Sequence, residues 1–110
     1  MATTLVETVE FKLSAQGAKQ QLLEGFKESN QWLAQKPEFI YRSISHNAKT
    51  DTWVDIAYWR SVEVAKQAED EFMTEPKTQL FMQQIDFDSV KMNKSLVLEE
   101  FYTEDCKDNE

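Results

Sequence analysis

Residues 38–61 read EFIYRSISHNAKTDTWVDIAYWRS. Two runs within this stretch, 38–46 and 51–60, are rich in β-branched and aromatic residues, and the short polar connection NAKT lies between them. That pattern predicts a β-hairpin. A turn centred on Ala48 and Lys49 sets His46 against Asp51, Ile44 against Trp53, Arg42 against Asp55 and Ile40 against Ala57. The opposite face then pairs Ser43 with Val54, Tyr41 with Ile56 and Phe39 with Tyr58. Directly opposed side chains contribute about 0.2–1 kcal/mol, and opposite charges belong together. This register satisfies Arg42 with Asp55, whereas a one-residue slip leaves Arg42 beside Val54 or Ile56. Alternation divides the hairpin into a face of Phe39, Tyr41, Val54, Ile56 and Tyr58, which suits a packed core. The other face mixes Trp53 and Trp59 with Arg42, Asp55 and His46. It suits a dimer interface, where Trp and Arg are enriched, or a wet pocket.

Upstream, residues 3–13 alternate, with Leu5, Val9, Phe11 and Leu13 on one side and Thr8, Glu10 and Lys12 on the other. Period two over this length predicts a strand. Ser14 is read as an N-cap. From Ala15 the apolar positions Ala15, Ala18, Leu22, Phe26 and Leu33 recur at three- and four-residue steps, an amphipathic helix that Pro37 closes. Downstream, Ser61 caps a second helix with Glu63 in its first turn and Ala65, Ala68 and Phe72 as its buried stripe. TEP at 74–76 breaks it. A short helix follows, presenting Leu80, Phe81 and Ile85, and residues 89–102 form a last strand. The order is β-α-β-β-α-β. Right-handed crossovers arrange such a chain as an α+β, ferredoxin-like fold, a four-stranded antiparallel sheet with both helices on one face. The other face then lacks a cover, and a second copy of the chain is the expected one.

The chain has 110 residues, 41% hydrophobic and 12% aromatic, enough for one domain with a real core. Residues 1–102 are assigned to that domain and 103–110 to an acidic tail. Twelve basic against twenty acidic residues give a net charge of −8. With no basic run, neither nucleic acid nor an anionic membrane surface is an expected partner. Cys106 alone supports neither an internal disulfide nor a multi-thiolate metal site. The N-terminus lacks the basic and apolar regions of a secretory signal, and no run approaches about 18 apolar residues. The expected location is cytoplasmic.

With these elements in place, the chain resembles the dimeric α/β-barrel superfamily, the ferredoxin-like group that includes antibiotic biosynthesis monooxygenase (ABM) domains. YWRSVEVAKQAEDEF (58–72) is similar to that family's strand-end pattern of Trp, any residue, Ser, then a helix opening with an acidic residue and alanine. KPEFIYRSISHNAKTDTWVDIAYW (36–59) resembles its second and third strands. The resemblance spans residues 3–101. It implies a homodimer whose sheets face each other as a dimeric α/β barrel, with a pocket between sheet and helices. Activities in the family include cofactor-independent oxygenation of aromatic polyketides, heme degradation and lactone isomerisation; other members have no known activity. The heme degraders carry an Asn on the first strand, a Trp in the second helix and a later His. The matching positions here hold Val9 or Glu10, Ala68 and approximately Thr78. The resemblance therefore does not extend to heme degradation.

Candidate site residues follow from chemistry. His46, the single histidine, is a candidate for proton transfer, although a turn position is usually just exposed. With Asp51 alone it makes no metal site. Trp53, Tyr58 and Trp59 are candidate substrate-binding aromatics, with core or interface as the ordinary alternative. Arg42 and Asp55 are candidates for orienting a polar substrate, with a cross-strand ion pair as the alternative. Only Gly17 and Gly25 occur, so there is no glycine-rich phosphate cradle and no nucleotide or other cofactor is expected. The leading expectation is an ABM-like small-molecule-pocket protein, a cofactor-independent monooxygenase of an aromatic or lipophilic compound. The alternatives are a non-catalytic homodimeric binding module and a lactone-type isomerase.

Overall fold

A computed structural model describes residues 4–103. Its elements are β1 (Leu5–Leu13), α1 (Lys19–Leu33), β2 (Phe39–Asn47), β3 (Thr52–Trp59), α2 (Val62–Phe72), a 3-10 turn (Pro76–Thr78), α3 (Gln79–Gln83) and β4 (Ile85–Leu96). The four strands form one antiparallel sheet in the order β2-β3-β1-β4. This is the expected α+β, ferredoxin-like arrangement, with β1 and β3 at the centre. No helix among the described residues is long and apolar enough to cross a membrane. Residues 104–110 of the expected acidic tail, Cys106 included, lie outside the described residues.

The ends of several elements differ from the sequence reading. Helix α1 begins at Lys19, not after Ser14, and its N-cap Ala18 has no capping side chain of its own. Gln84, buried where α3 passes into β4, caps it from a distance: Oε1 accepts from the Ala18 N–H at 3.0 Å while Nε2 donates to the Leu80 carbonyl. Strand β4 runs 85–96 rather than 89–102, so Ile85 opens the strand instead of closing a helix. By contrast Ser61 does cap α2, its Oγ accepting from the Val64 N–H at 3.2 Å.

The hairpin register is shifted by two residues from the expected one. Asn47 pairs with Thr52, His46 with Trp53, Ile44 with Asp55 and Arg42 with Ala57. The loop of 48–51 is longer than a two-residue turn. Asn47 Oδ1 accepts from the Lys49 and Thr50 N–H groups, and Asp51 adopts φ 53°. Because side chains alternate with period two, a two-residue shift keeps every residue on its face. One residue does change sides. A bulge between Phe39 and Tyr41 sets Phe39 opposite Trp59 rather than Tyr58, with ring centroids 5.1 Å apart.

The core lies on the face opposite to the one expected. Trp53 and Trp59 are 4% and 2% exposed, whereas Tyr41 is 53% exposed. Strand β1 decides this: Leu5 pairs with Trp59 and Phe11 with Trp53, so the tryptophans continue the apolar row that the helices cover. Two clusters result. Leu5, Leu33, Trp59, Ala65 and Ala68 form one; Phe11, Leu22, Trp53, Phe81 and Ile85 form the other, and Phe72 packs against both.

Helices α1 and α3 meet at Gly25. A Cβ there would lie 2.4 Å from the Phe81 backbone nitrogen and 2.6 Å from its Cα. Backbone cannot rotate aside as a side chain does, so Gly25→Ala is expected to destabilise the fold by about 1–3 kcal/mol. Urea denaturation checks this, and an unchanged midpoint would contradict the close approach.

Candidate functional site

Along β3 the helix-facing positions read Trp53, Asp55, Ala57 and Trp59. Ala57 on the sheet faces a layer in which α2 presents Ala65 and Ala68. Three alanines supply little volume, and a cavity of about 300 Å³ remains between the sheet and α2. Trp59 and Leu33 bound it at one end, and Phe81, Met82 and Ile85 at the other. The polar residues in its wall are Glu7, Arg42, Asp55 and Glu69.

Arg42 and Asp55 are bound to each other before any ligand arrives. Arg42 Nε donates to Asp55 Oδ1 at 3.0 Å, and an Nη donates to Oδ2 at 2.7 Å. The other Nη donates to Ser29 Oγ at 2.7 Å and Asn30 Oδ1 at 2.8 Å, so the guanidinium ties the hairpin to α1. Its plane is enclosed by the rings of Phe26 and Phe81, 4.4 and 4.9 Å from the guanidinium carbon. The side chains are only 4% and 12% exposed. The pair therefore exists, but diagonally across the strands: Arg42 stands opposite Ala57, whose small side chain leaves room for it to lean toward Asp55.

Glu7 was not among the residues singled out from sequence. It follows Leu5 and precedes Val9 and Phe11 on the buried side of β1, directly opposite Ala57 on one side and Lys94 on the other. A carboxylate interrupting an apolar row was the signal. Burial, first, raises its pKa above the ordinary 4.5; Glu69 and Asp55 push the same way, while Lys94 and the Trp59 indole N–H pull it down. Lys94 is itself engaged, its Nζ donating to Glu69 Oε2 at 2.5 Å, which bridges β4 to α2 and raises the Lys94 pKa. The Trp59 Nε1 is buried and has no hydrogen-bond partner among the described residues. Glu7 is the group that this N–H acts on, favouring the ionised carboxyl.

The other sequence candidates lie elsewhere. Trp53 belongs to the second core cluster and does not line the cavity. Tyr58 points to the uncovered sheet face, its ring 5.9 Å from Tyr41. His46 caps the hairpin end, stacked 4.3 Å from Trp53, with Nε2 2.8 Å from Asp51 Oδ1. Of the six candidates, the fold brings Arg42, Asp55 and Trp59 together at the cavity.

Two outcomes follow. Arg42→Met leaves Asp55 as an uncompensated buried charge and is expected to cost about 3–5 kcal/mol in chemical denaturation. Arg42→Met combined with Asp55→Leu should recover a good part of that loss; full additivity would mean the pair is not coupled. Glu7 titrates in the opposite sense to a salt-bridged acid. Its raised pKa means the native state holds the proton more tightly than the unfolded chain. That contribution is complete below the ordinary value of 4.5 and is lost as pH rises through the raised one. Glu7→Gln should therefore raise Tm at neutral pH and change it little near pH 4, which a pH series of thermal melts reads directly.

No known protein-family model matches the chain, and no curated protein does. Solved structures match its fold over nearly all of its length. A monooxygenase from the gene ActVA-Orf6 of Streptomyces coelicolor, solved in complex with the ligand nanaomycin D, is 17% identical with a TM-score of 0.67, covering 92% of this chain and 93% of its own. SnoaB, a cofactor-independent oxygenase from Streptomyces nogalater, is 15% identical with a TM-score of 0.62, covering 94% and 99%. A dimeric ferredoxin-like protein of unknown function from Jannaschia is 11% identical with a TM-score of 0.66, covering 86% and 99%. The chain thus shares the ferredoxin-like fold of these structures.

Proposed function

We propose that this chain is an ABM-like, cofactor-independent monooxygenase that acts as a homodimer on an aromatic or lipophilic small molecule. The observation that carries the reading is the cavity of about 300 Å³ between sheet and α2. Its volume and apolar lining with few polar groups are those of a small-molecule site. The fold is shared with proteins described as a cofactor-independent oxygenase and a monooxygenase. Trp59 supplies the aromatic wall, and the Arg42–Asp55 pair supplies a rigid one. Trp53 and His46 stand apart from it, at the hairpin end of the same sheet face.

Tyr58 serves the dimer instead. The face without helices carries Val6 beside Tyr58, Thr8 beside Ile56, and Tyr41 beside Tyr58. An apolar face of this kind needs a cover, and a second copy provides one, in keeping with the dimeric ferredoxin-like neighbour. The binding-module alternative draws on one observation: Arg42 and Asp55, the strongest polar groups, are already spent on each other and on α1.

Incubation with 1-naphthol in metal-free buffer tests the proposal. Oxygenation would consume one O2 per naphthol, one oxygen atom entering 1,4-naphthoquinone and the other leaving as water. Oxygen uptake above the protein-free rate, lost in a folded Ala68→Leu variant that fills the cavity, is the expected result. Binding without uptake would favour the module. Sedimentation of the same sample at micromolar concentration should give about twice 12.9 kDa, and a single species near 12.9 kDa would refute the dimer.

A further inference from the structure

Strand β4 ends before its strand-forming sequence does. The pattern of β-branched, aliphatic and aromatic residues continues to Tyr102, yet the strand closes at Leu96. The reason lies in its neighbour: Leu96 pairs with Leu5, the first residue of β1, and the Val97 N–H donates to the Thr4 carbonyl at 2.9 Å. Among the described residues, β1 offers no further ladder beyond that bond. Residues 97–103, VLEEFYT, form no regular element, and Leu98 and Phe101 are 91% and 89% exposed. Two large apolar side chains on an unpaired strand-forming segment mark a contact made outside the single chain. Fully extended, these seven residues reach about 23 Å.

We propose that residues 97–103 of each copy are an arm that adds, as an extra strand, to the β2 edge of a second copy of this chain. The sheet has two edges, β2 and β4. The β4 edge is interrupted by the register irregularity opposite Glu10 and Lys12 and carries Asp86, Asp88 and Lys91, features that discourage strand addition. The β2 edge is nine residues long and leaves Ile40 and Tyr41 exposed. Among the strands of the described residues, β2 alone contains no acidic residue. In a chain of net charge −8, that makes it the strand against which Glu99 and Glu100 of an arriving arm meet least repulsion. Alternate N–H and C=O groups of an edge strand point away from its neighbour and are the groups an added strand uses. Ile40 and Tyr41 then offer apolar contact to Leu98 and Phe101.

The seat on β2 is continuous with the sheet face that a second copy covers, because Tyr41 stands on that face beside Tyr58. Two-fold symmetry makes the exchange reciprocal: each copy gives an arm and receives one. Both β2 edges are thereby paired, which removes the open ladder that would otherwise recruit further chains. The apolar arm leaves water in the same step.

The inference rests on the homodimer reading, and the experiment separates the two. The full-length protein is compared with a double variant, Leu98→Ser with Phe101→Ser. Both residues are exposed in the single chain, so the substitutions leave its core intact, and an unchanged far-UV spectrum checks this. Sedimentation equilibrium should show the dimer dissociation constant rising at least about tenfold in the variant, as expected for two apolar side chains no longer buried. Amide exchange read by NMR should be slow in the wild-type dimer for residues 98–102 and for the outward-facing N–H groups of β2. Both protections should fall together in the variant. A wild type that is monomeric at micromolar concentration overturns the homodimer reading and this inference with it. A wild-type dimer whose affinity the double variant leaves unchanged, or whose residues 98–102 exchange freely, overturns the inference alone. So does a protected arm beside an unprotected β2 edge.

Discussion

A guanidinium buried among three phenylalanine rings is the constraint on which the arrangement depends. Arg42 costs several kcal/mol to desolvate and is tolerable only because each of its three nitrogens finds an acceptor. Asp55 supplies two of them, and Ser29 and Asn30 supply the rest from α1. These bonds fix the height of α1 over the hairpin and the position of β2 relative to β3. Phe26, Phe72 and Phe81 close round the cation, so the same group also organises the aromatic packing between the helices. A pair built from hydrophobic residues of equal volume would be about as stable. It would not demand the same partners on two separate elements, β3 and α1.

That commitment shapes the cavity. With Arg42 satisfied internally, no free cation among the described residues lines the space, and the net character of the wall is apolar with a carboxyl at one side. The cavity itself exists because Ala57, Ala65 and Ala68 stand where larger residues would have met. The two core clusters lie to either side, joined through Phe72, so the space interrupts a continuous core without dividing it. Lys94 and Glu69 bridge β4 to α2 beside Glu7. The site is thus framed by two ion pairs of unlike character, one buried and rigid, the other half-exposed and weaker.

The uncovered sheet face gives the aromatic residues of the hairpin their second role. Tyr41 and Tyr58 stand on it, while Trp53 and Trp59 stand on the helix side. Aromatics alternate along one strand because the strand has two apolar neighbours, a helical layer on one side and an open face on the other. Crowding in TWVDIAYW is therefore two surfaces sharing one backbone.

Sequence alone determined the element order, because hydrophobic periodicity is local: the alternation of β1, the three- and four-residue steps of the helices and the Ser61 cap are all set by near neighbours. Which residues share a face was also legible, since the two-residue error in the hairpin register preserves side-chain parity. Tertiary structure decided the rest. Which hairpin face became core depended on β1, paired from over forty residues away, as Leu5 meets Trp59 and Phe11 meets Trp53. The bulge at Ile40, the capping of α1 by Gln84, and the meeting of Glu7, Trp59 and Asp55 each join residues remote in sequence. Local pattern records what a residue is suited to bury, but only the closed sheet and the helices over it settle what it is buried against.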